Sequence, residues 1–413
     1  MKKRTSCLAL AAAAFLAFGL LPASASAQEG DLPELVAGTS QSGTGWSWDG
    51  EQNILTLDGF SSEGVNGFQI KNDATVVLKG QNQFTGNANQ KLIAGFGDLT
   101  IQGDGTLTAD NSEGLAADGD WQVQTPVIFA IGTMTIAGGE MEIVGGFEGN
   151  DGIVISGGKM TFHTPDGLVL EEYISPTHAF FTLGTVEITG GVLDIYLGKY
   201  DTGFYVANYT GTGHDKADIA ISGGSISVEG GDQALMVQYV PEKSGDKPAV
   251  EITGGSFTAD TGSYAIRSYY GGDVVIRDGE FDFSGSAGVA HLDRETDELK
   301  IAAADYSEVD ETLAEAQALD SADYEDFSAV TKAMEAVERG LDITRQKDVD
   351  AMAQAIREAM GALTEKDVEE IKDDEDITAT GISLAAMPFI LLTLSGAAVS
   401  LLLVYSGKKR KVQ

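Results

Sequence analysis

Four segments of the chain share a six-residue pattern that ends in tyrosine. Four aromatic rings in a row could stack on the rings of a sugar ligand. If these segments lie above one another, the rings should align on the outer side, with apolar residues facing inward. The tyrosines are Tyr173, Tyr209, Tyr239 and Tyr269, and the predicted inward residues are Leu170, Val206, Met236 and Ile266. The alternative interpretation is an aromatic stack that closes a corner of the fold.

Carboxylates and histidines could act as general acids and bases. The four histidines fall at unlike places in the repeat described below, and no segment carries the N-T-D, Asp-Asp and R-x-K series of polygalacturonase-like chains. We therefore assign no catalytic residue, although paired carboxylates could still converge in space. The residues to inspect first are Asp166, Asp194, Asp201 and His214.

The sequence specifies no metal site and no cofactor, because it contains neither a G-G-x-G-x-D calcium repeat nor an EF-hand loop. Adventitious binding of Ca²⁺ in an acidic turn is left open. The single cysteine, Cys7, lies near the N-terminus, so the rest of the chain has no disulfide and no thiol chemistry.

Glycine residues recur between short alternating segments of the chain, and this pattern indicates which elements position these side chains. A phrase recurs at intervals of 19 to 35 residues: an alternating strand, a Gly-rich turn and a second alternating strand. It is clearest after Ile155, Ile188, Ile221 and Ile252. A third strand completes each repeat, and repeats this small must stack to bury their apolar faces. The pattern predicts a right-handed parallel β-helix over residues 38–300. A β-sandwich with hairpin-paired strands is the alternative.

The opening of this region looks like a first coil and cap. It runs from Gly43-Thr-Gly-Trp46-Ser-Trp48 to Ile54-Leu-Thr-Leu57. With the Gly-Gly phrases, it resembles the β-helical repeat domains of bacterial surface proteins that are commonly labelled carbohydrate-binding. This resemblance implies stacked coils and a glycan ligand. Trp46, Trp48 and Trp121 are alternative aromatic surfaces, and we expect the first two to pack in the cap.

After residue 300 the composition changes to Ala, Glu and Asp, and the apolar spacing becomes helical. We expect helices near 307–319, 324–339 and 345–363, within a three-helix bundle at 306–365. On the last helix one apolar stripe contains Val349, Met352, Ile356, Met360 and Leu363. A wider set of residues across the three helices resembles a known module, and its members are Leu313–Leu319, Asp323, Tyr324, Val330, Ala333, Met334, Ala336, Val349, Asp350, Ala355, Ile356 and Leu363. In order and spacing it resembles the FIVAR module of Gram-positive surface proteins, which implies a stalk or an accessory binding unit.

The two ends of the chain predict export and anchoring. Residues 1–27 combine a basic start, an apolar run and an A-x-A site, as in a secretory signal peptide. The apolar run at 382–405 contains 24 residues, enough for a transmembrane helix, and the basic tail at 406–413 marks the cytoplasmic side. Between the bundle and this run, residues 366–381 form an acidic linker.

The end of the linker resembles the L-P-x-T-G sorting signal of cell-wall proteins. Its residues are Ile377, Thr378, Ala379, Thr380 and Gly381, so Ile replaces Leu and Thr replaces Pro. The resemblance implies cleavage by a sortase and attachment to the cell wall. Because the Pro that bends the substrate in the sortase groove is absent, a membrane helix that is retained is the interpretation that we favour. Either anchor leaves the bulk of the chain outside the cell.

The region between the signal peptide and the tail contains 19 basic and 63 acidic residues, a net charge of −44. This charge repels nucleic acid and anionic membranes and could attract cationic partners. We therefore expect a surface-anchored bacterial interaction protein that binds an extracellular glycan or a host surface protein through the β-helix. The alternatives are a β-helix polysaccharide lyase or hydrolase, and a non-catalytic spacer or protein-binding adhesin.

Overall fold

The computed structural model describes residues 32–366 apart from 65–66, 87–89, 113–114, 119–120, 165–167, 170–173, 176, 209–217, 240–247, 270–271, 287 and 293–297. The predicted signal peptide, sorting-like motif, membrane segment and basic tail lie outside the described residues, as does nearly all of the acidic linker. No helix within the described part of the chain is both long and apolar enough to cross a membrane. The chain divides into two units, Met1–Glu365 and Lys366–Gln413, and the elements below all belong to the first.

The described chain is mainly β-structure. In chain order the strands are β1 (Glu34–Leu35), β2 (Gln41–Gly43), β3 (Trp46–Asp49), β4 (Ile54–Asp58), β5 (Ser61–Glu63), β6 (Phe68–Ile70), β7 (Ala74–Lys79), β8 (Gln81–Thr85), β9 (Ile93–Gly95), β10 (Leu99–Gly103), β11 (Thr106–Asp110), β12 (Leu115–Asp118), β13 (Trp121–Gln124), β14 (Ile128–Ala130), β15 (Thr133–Ile136), β16 (Glu140–Val144), β17 (Phe147–Gly149), β18 (Gly152–Ile155), β19 (Lys159–His163), β20 (Leu168–Val169), β21 (Ile174–Ser175), β22 (His178–Thr182), β23 (Thr185–Ile188), β24 (Val192–Leu197), β25 (Thr202–Asn208), β26 (Ile219–Ile221), β27 (Ser225–Gly230), β28 (Gln233–Tyr239), β29 (Val250–Asp260), β30 (Tyr264–Tyr269), β31 (Val274–Asp282), β32 (Gly288–Leu292) and β33 (Leu299–Ile301). The helices are α1 (Ser307–Gln317), α2 (Ser328–Glu335) and α3 (Gln346–Gly361), with short 3₁₀ turns at Ser321–Asp323 and Ile343–Arg345.

Corresponding strands of successive repeats pair in parallel and form two long sheets. The first sheet contains ten strands in the order β1-β6-β9-β14-β17-β22-β25-β28-β30-β32. The second contains 19 strands. Most coils contribute two, one before and one after the Gly-rich turn, whereas β29 and β31 each run through the turn as one strand. Parallel stacking of equivalent strands is the arrangement of a β-solenoid, and it excludes the β-sandwich alternative. Antiparallel pairs occur in the β2-β3-β4 cap and in the hairpins β12-β13 and β20-β21.

The isoleucine before each Gly-rich turn lies in the core, as the period-two alternation of these strands requires. In the second sheet these isoleucines pair directly from coil to coil. The series is Ile101, Ile136, Ile155, Ile188, Ile221, Ile252, Ile276 and Ile301. All but the last are at most 2% exposed. Because each fully buried isoleucine contributes about 1.5–3 kcal/mol of transfer free energy, this ladder is a major source of stability.

The Gly-Gly turns of successive coils lie in close backbone contact. Gly224 has a φ of +85°, a conformation that L-residues with a side chain rarely adopt. A Cβ atom at Gly224 would lie 2.8 Å from the carbonyl oxygen of Gly190 in the preceding coil. The recurring phrase therefore reflects backbone-to-backbone contact between coils.

The helical segment packs in two small apolar clusters. One contains Ala304, Val309, Val349 and Ala353, and the other contains Ala316, Val330 and Ile356. Val349 and Ile356 of the predicted stripe are buried, and Met352, Met360 and Leu363 pack against the clusters. The helices are shorter than expected, since α2 spans only Ser328–Glu335.

The helical segment also contacts the last coil of the solenoid. The backbone N–H of Ile343 donates to the Ala302 carbonyl at 2.8 Å, and that of Ala304 donates to Leu341 at 3.1 Å. Ile343 packs against the solenoid core. Lys347 Nζ reaches the Asp282 carboxylate at 2.5 Å. The helices thus cover one end of the solenoid.

Candidate functional site

The predicted tyrosine row depends on the register of the first sheet, and the register differs from the prediction. Segment 168–173 is not the equivalent strand of its coil. That strand is β22, in which His178 pairs with Thr202 of β25, whereas Leu168 and Val169 form a short antiparallel hairpin with β21. Tyr173 and Leu170 lie outside the described residues.

The other tyrosines are offset from one another. Tyr239 pairs with Asn208, and Tyr269 pairs with Gln238, so the two tyrosines do not occupy equivalent positions in their coils. Tyr209 lies outside the described residues. The direct alignment of the four tyrosines was therefore wrong, while their role in ligand binding stays a prediction.

Burial of large apolar residues explains the offset. Phe204, Leu235 and Ile266 are register partners, and all three are fully buried. Aligning the tyrosines would have placed Met236 in this inward row. Instead Met236 is half-buried on the outer face, between Tyr205 and Arg267. The predicted inward positions of Val206 and Ile266 are confirmed, and that of Met236 is wrong.

The outer face of the first sheet carries a continuous row of register partners. The row consists of Phe129, Glu148, Phe181, Tyr205, Met236 and Arg267. Phe181 is only 6% exposed, and its ring centre lies 5.6 Å from that of Tyr205. The Tyr205 hydroxyl donates a hydrogen bond to Gln238 Oε1. Since its members are half-buried or buried, this row is mainly a packing surface.

Glu148 is the one carboxylate in this row. Burial raises the pKa of Glu148 to about 7, and the nearby Lys91 ammonium limits the rise. Burial likewise lowers the pKa of Lys91, against the opposing effect of Glu148. A neighbour on the same face, His178, stacks on Phe181, and burial lowers its pKa to about 3, so His178 is neutral at physiological pH. Glycoside hydrolysis needs two carboxylates, and this row supplies one.

The second sheet carries a pair of stacked rings on its outer face, one half-buried and one exposed. His163 ends β19, and its register partner on β24 is Tyr196. Their ring centres lie 4.9 Å apart with an angle of 11° between the ring planes. Tyr196 is 42% exposed, one of the most exposed large hydrophobic residues of the described chain. We call these two residues the Tyr196–His163 pair.

Outward positions recur every second residue along each strand, and several of those near the pair are polar, although Val144 borders His163 on β16. On the next strand Glu229 is the register partner of Tyr196, and Asp260 follows Glu229 in the same row. Along their own strands, Asp194 precedes Tyr196 and Thr161 precedes His163 by two residues. The pair therefore lies among carboxylates and a hydroxyl on the outer face of the second sheet.

This arrangement suits a sugar-sized ligand. His163 stacks on one side of the Tyr196 ring and Glu229 stands in register on the other side, while 42% of Tyr196 stays exposed to a ligand. Each carboxylate has about four lone pairs for hydroxyl or amine donors. A stable protein interface is larger and has an apolar core, whereas the exposed large hydrophobic residues on this part of the sheet are Val192 and Tyr196.

Of the four acidic and histidine residues chosen from the sequence, one has a clear structural role. Asp201 is fully buried and accepts hydrogen bonds from Thr164 Oγ1 at 2.6 Å and from the Thr177 backbone N–H at 2.9 Å, so it organises the turn before β25. Asp194 is half-buried beside the Tyr196–His163 pair. Asp166 and His214 lie outside the described residues. No group of three metal-ligating side chains occurs within the part of the chain that the structure describes.

The tryptophans near the N-terminus pack in the cap. Trp48 is 1% exposed and donates from its ring nitrogen to the Val36 carbonyl at 3.0 Å. Trp46 meets Phe68 edge to face, with ring centres 5.0 Å apart. Their expected role in the cap is confirmed.

Sequence reasoning missed the Tyr196–His163 pair. A signal was present, because both rings stand at the fifth position of the strand that follows a Gly-Gly turn, in Lys159–His163 and Val192–Tyr196. No family model matches this sequence, and searches of curated proteins and of solved structures found no match.

Proposed function

We propose that this chain is an exported, surface-anchored bacterial interaction protein whose right-handed β-helix binds an extracellular glycan. The observation that supports it most is the stacked Tyr196–His163 pair, in which Tyr196 is exposed and carboxylates and a hydroxyl lie nearby. An aromatic ring offers an apolar face to the C–H groups of a sugar, and the polar neighbours bind its hydroxyl groups. The ring pair stands on paired strands, which hold it in place.

Anchoring is part of the same proposal. The signal peptide at 1–27 directs export, and the helix at 382–405 retains the chain in the membrane unless a sortase cuts at the motif 377–381. The helices before the linker then form the membrane-proximal part of the exported chain, as in a FIVAR-like stalk.

A glycan array tests the binding proposal. We would probe residues 28–365, which end where the first compact unit ends, against plant, host and bacterial glycans. We expect binding that Tyr196→Ala abolishes and that Tyr196→Phe largely retains. Phe96→Ala is the matched control, because Phe96 is a remote aromatic residue with a similar exposure of 45%. Binding that Tyr196→Ala leaves intact would contradict the proposal. An absence of binding across the array would favour a structural spacer or a protein-binding adhesin.

One observation favours the enzyme alternative. Glu148 has a pKa near 7 in a half-buried aromatic row, a property of general acids in glycosidases. Release of reducing ends from an array polysaccharide by the wild type, and its loss in Glu148→Gln, would establish polysaccharide cleavage that depends on Glu148. Equal rates in both proteins would exclude Glu148 as the acid.

A further inference from the structure

The surroundings of the Tyr196–His163 pair are acidic as well as polar. Asp194 precedes Tyr196 on β24, Glu229 is its register partner on β27, and Asp260 continues the row on β29. On the other side of the pair, Glu142 pairs with Thr161. Four carboxylates thus lie within two strands of two aromatic rings.

Two of these carboxylates are available to a ligand. Neither Asp194 nor Glu229 forms a hydrogen bond or an ion pair with another residue of the described chain. The cation on the neighbouring strand, Lys159, is held by Glu140 at 3.0 Å. The hydrogen bond that Lys159 donates to Glu140 is the largest cause of the raised pKa of Lys159, and the charge of Asp194 makes the smallest contribution.

We infer that the Tyr196–His163 pair and its carboxylates select a glycan with free amino groups, such as a polymer of glucosamine, over its neutral N-acetylated form. This inference rests on the proposed function of the same surface. A protonated amine is attracted to the face of a tyrosine ring and donates three hydrogen bonds, which match the acceptors Asp194 and Glu229.

The net charge of the exported region also favours a glycan with free amino groups. The exported region has a net charge of −44, so it attracts polycations and repels acidic polysaccharides. A neutral sugar gains nothing from this field. The contribution of exposed pairs is modest and falls with ionic strength, so we expect roughly a tenfold preference at low salt and a smaller one at high salt.

The test compares two probes that differ only in acetylation, a β-1,4-linked glucosamine hexamer and the matching N-acetylglucosamine hexamer. Binding to residues 28–365 is measured by calorimetry at two salt concentrations. We expect tighter binding of the free amine, a salt-dependent Kd, and loss of the preference in the double variant Asp194→Asn/Glu229→Gln. The control Glu51→Gln lies in the N-terminal turn and should leave the preference unchanged. Thermal unfolding of each variant checks that the fold is intact.

The outcomes separate this inference from the proposed function. Equal or tighter binding of the acetylated hexamer, or a preference that persists in the double variant, overturns the inference and leaves glycan binding in place. Binding of both hexamers that Tyr196→Ala does not weaken overturns both. If an oligolysine peptide binds saturably at this surface and neither hexamer does, the surface binds a protein partner, and the inference is also overturned.

Discussion

Replacing Gly224 by alanine adds one methyl group at the turn between β26 and β27. The φ of Gly224 is +85°, and a left-handed conformation costs a non-glycine residue about 1–2 kcal/mol. The added Cβ would also lie 2.8 Å from Gly190 O and 3.0 Å from Gly190 C. Both are backbone atoms of the preceding coil, so relief requires the coils to separate, and overpacking of this kind costs about 1–3 kcal/mol. We expect Gly224→Ala to lower the free energy of unfolding by about 2–5 kcal/mol.

Substitutions at two other glycines serve as controls for the two causes, which are the left-handed backbone conformation and the contact with the preceding coil. Gly340 has nearly the same φ, +86°, but a Cβ there meets no atom within 4 Å. Gly340→Ala should therefore cost only the conformational part, about 1–2 kcal/mol. Gly361 lies in α3 with open space around it, so Gly361→Ala should be stabilising by about 0.5–1 kcal/mol.

Urea unfolding of residues 28–365, followed by circular dichroism, measures these differences. The slope of the free energy against urea concentration should be the same for all variants if only native-state stability changes. If Gly224→Ala proves no more destabilising than Gly340→Ala, the turns of successive coils are not in contact and the stacking argument fails.

Three further predictions follow from the core, the buried carboxylate and the anchor. Ile188→Ala should lower the free energy of unfolding by about 2–5 kcal/mol in the same urea assay, because Ile188 is fully buried between Ile155 and Ile221, and a loss below 1 kcal/mol would contradict the isoleucine ladder. The pKa of Glu148 is raised from 4.5 to about 7 in the folded chain, so the unfolded chain loses this proton at a lower pH than the folded chain does. The free energy of unfolding should therefore fall by up to about 3 kcal/mol as the pH rises from 4.5 to 7. Glu148→Gln should remove this pH dependence and unfold at higher urea than the wild type at pH 8; an unchanged profile would show that the Glu148 carboxyl is not buried. Mass spectrometry of the anchored protein should find either a peptide ending at Thr380 linked to peptidoglycan or an intact C-terminus, and release of the protein by washing would contradict both forms of anchoring.

The coil pattern could be predicted from sequence because its causes are local. A Gly-Gly turn marks a place where backbone from the next coil comes too close for a side chain, as at Gly224. Isoleucine before the turn and alternation around it mark the inward face. These signals repeat, so three strands in each coil and parallel stacking follow from them.

The outer-face sites could not be predicted in the same way, because their geometry depends on register. The spacing between Phe204, Leu235 and Ile266 differs by one residue from the spacing of the tyrosines, and burial of these apolar side chains outweighs alignment of the rings. His163 and Tyr196 come together only because β19 and β24 pair at that position. The pKa of Glu148 depends on how deeply its strand is covered, which no local pattern encodes.

The most direct test of glycan binding is the Kd of the tightest array glycan for the wild type and for Tyr196→Ala, measured by calorimetry on residues 28–365. The Tyr196–His163 pair predicts that Tyr196→Ala weakens binding at least tenfold, about 1.4 kcal/mol, with thermal unfolding unchanged. A Kd that is the same in both proteins would contradict the claim that this surface binds the glycan.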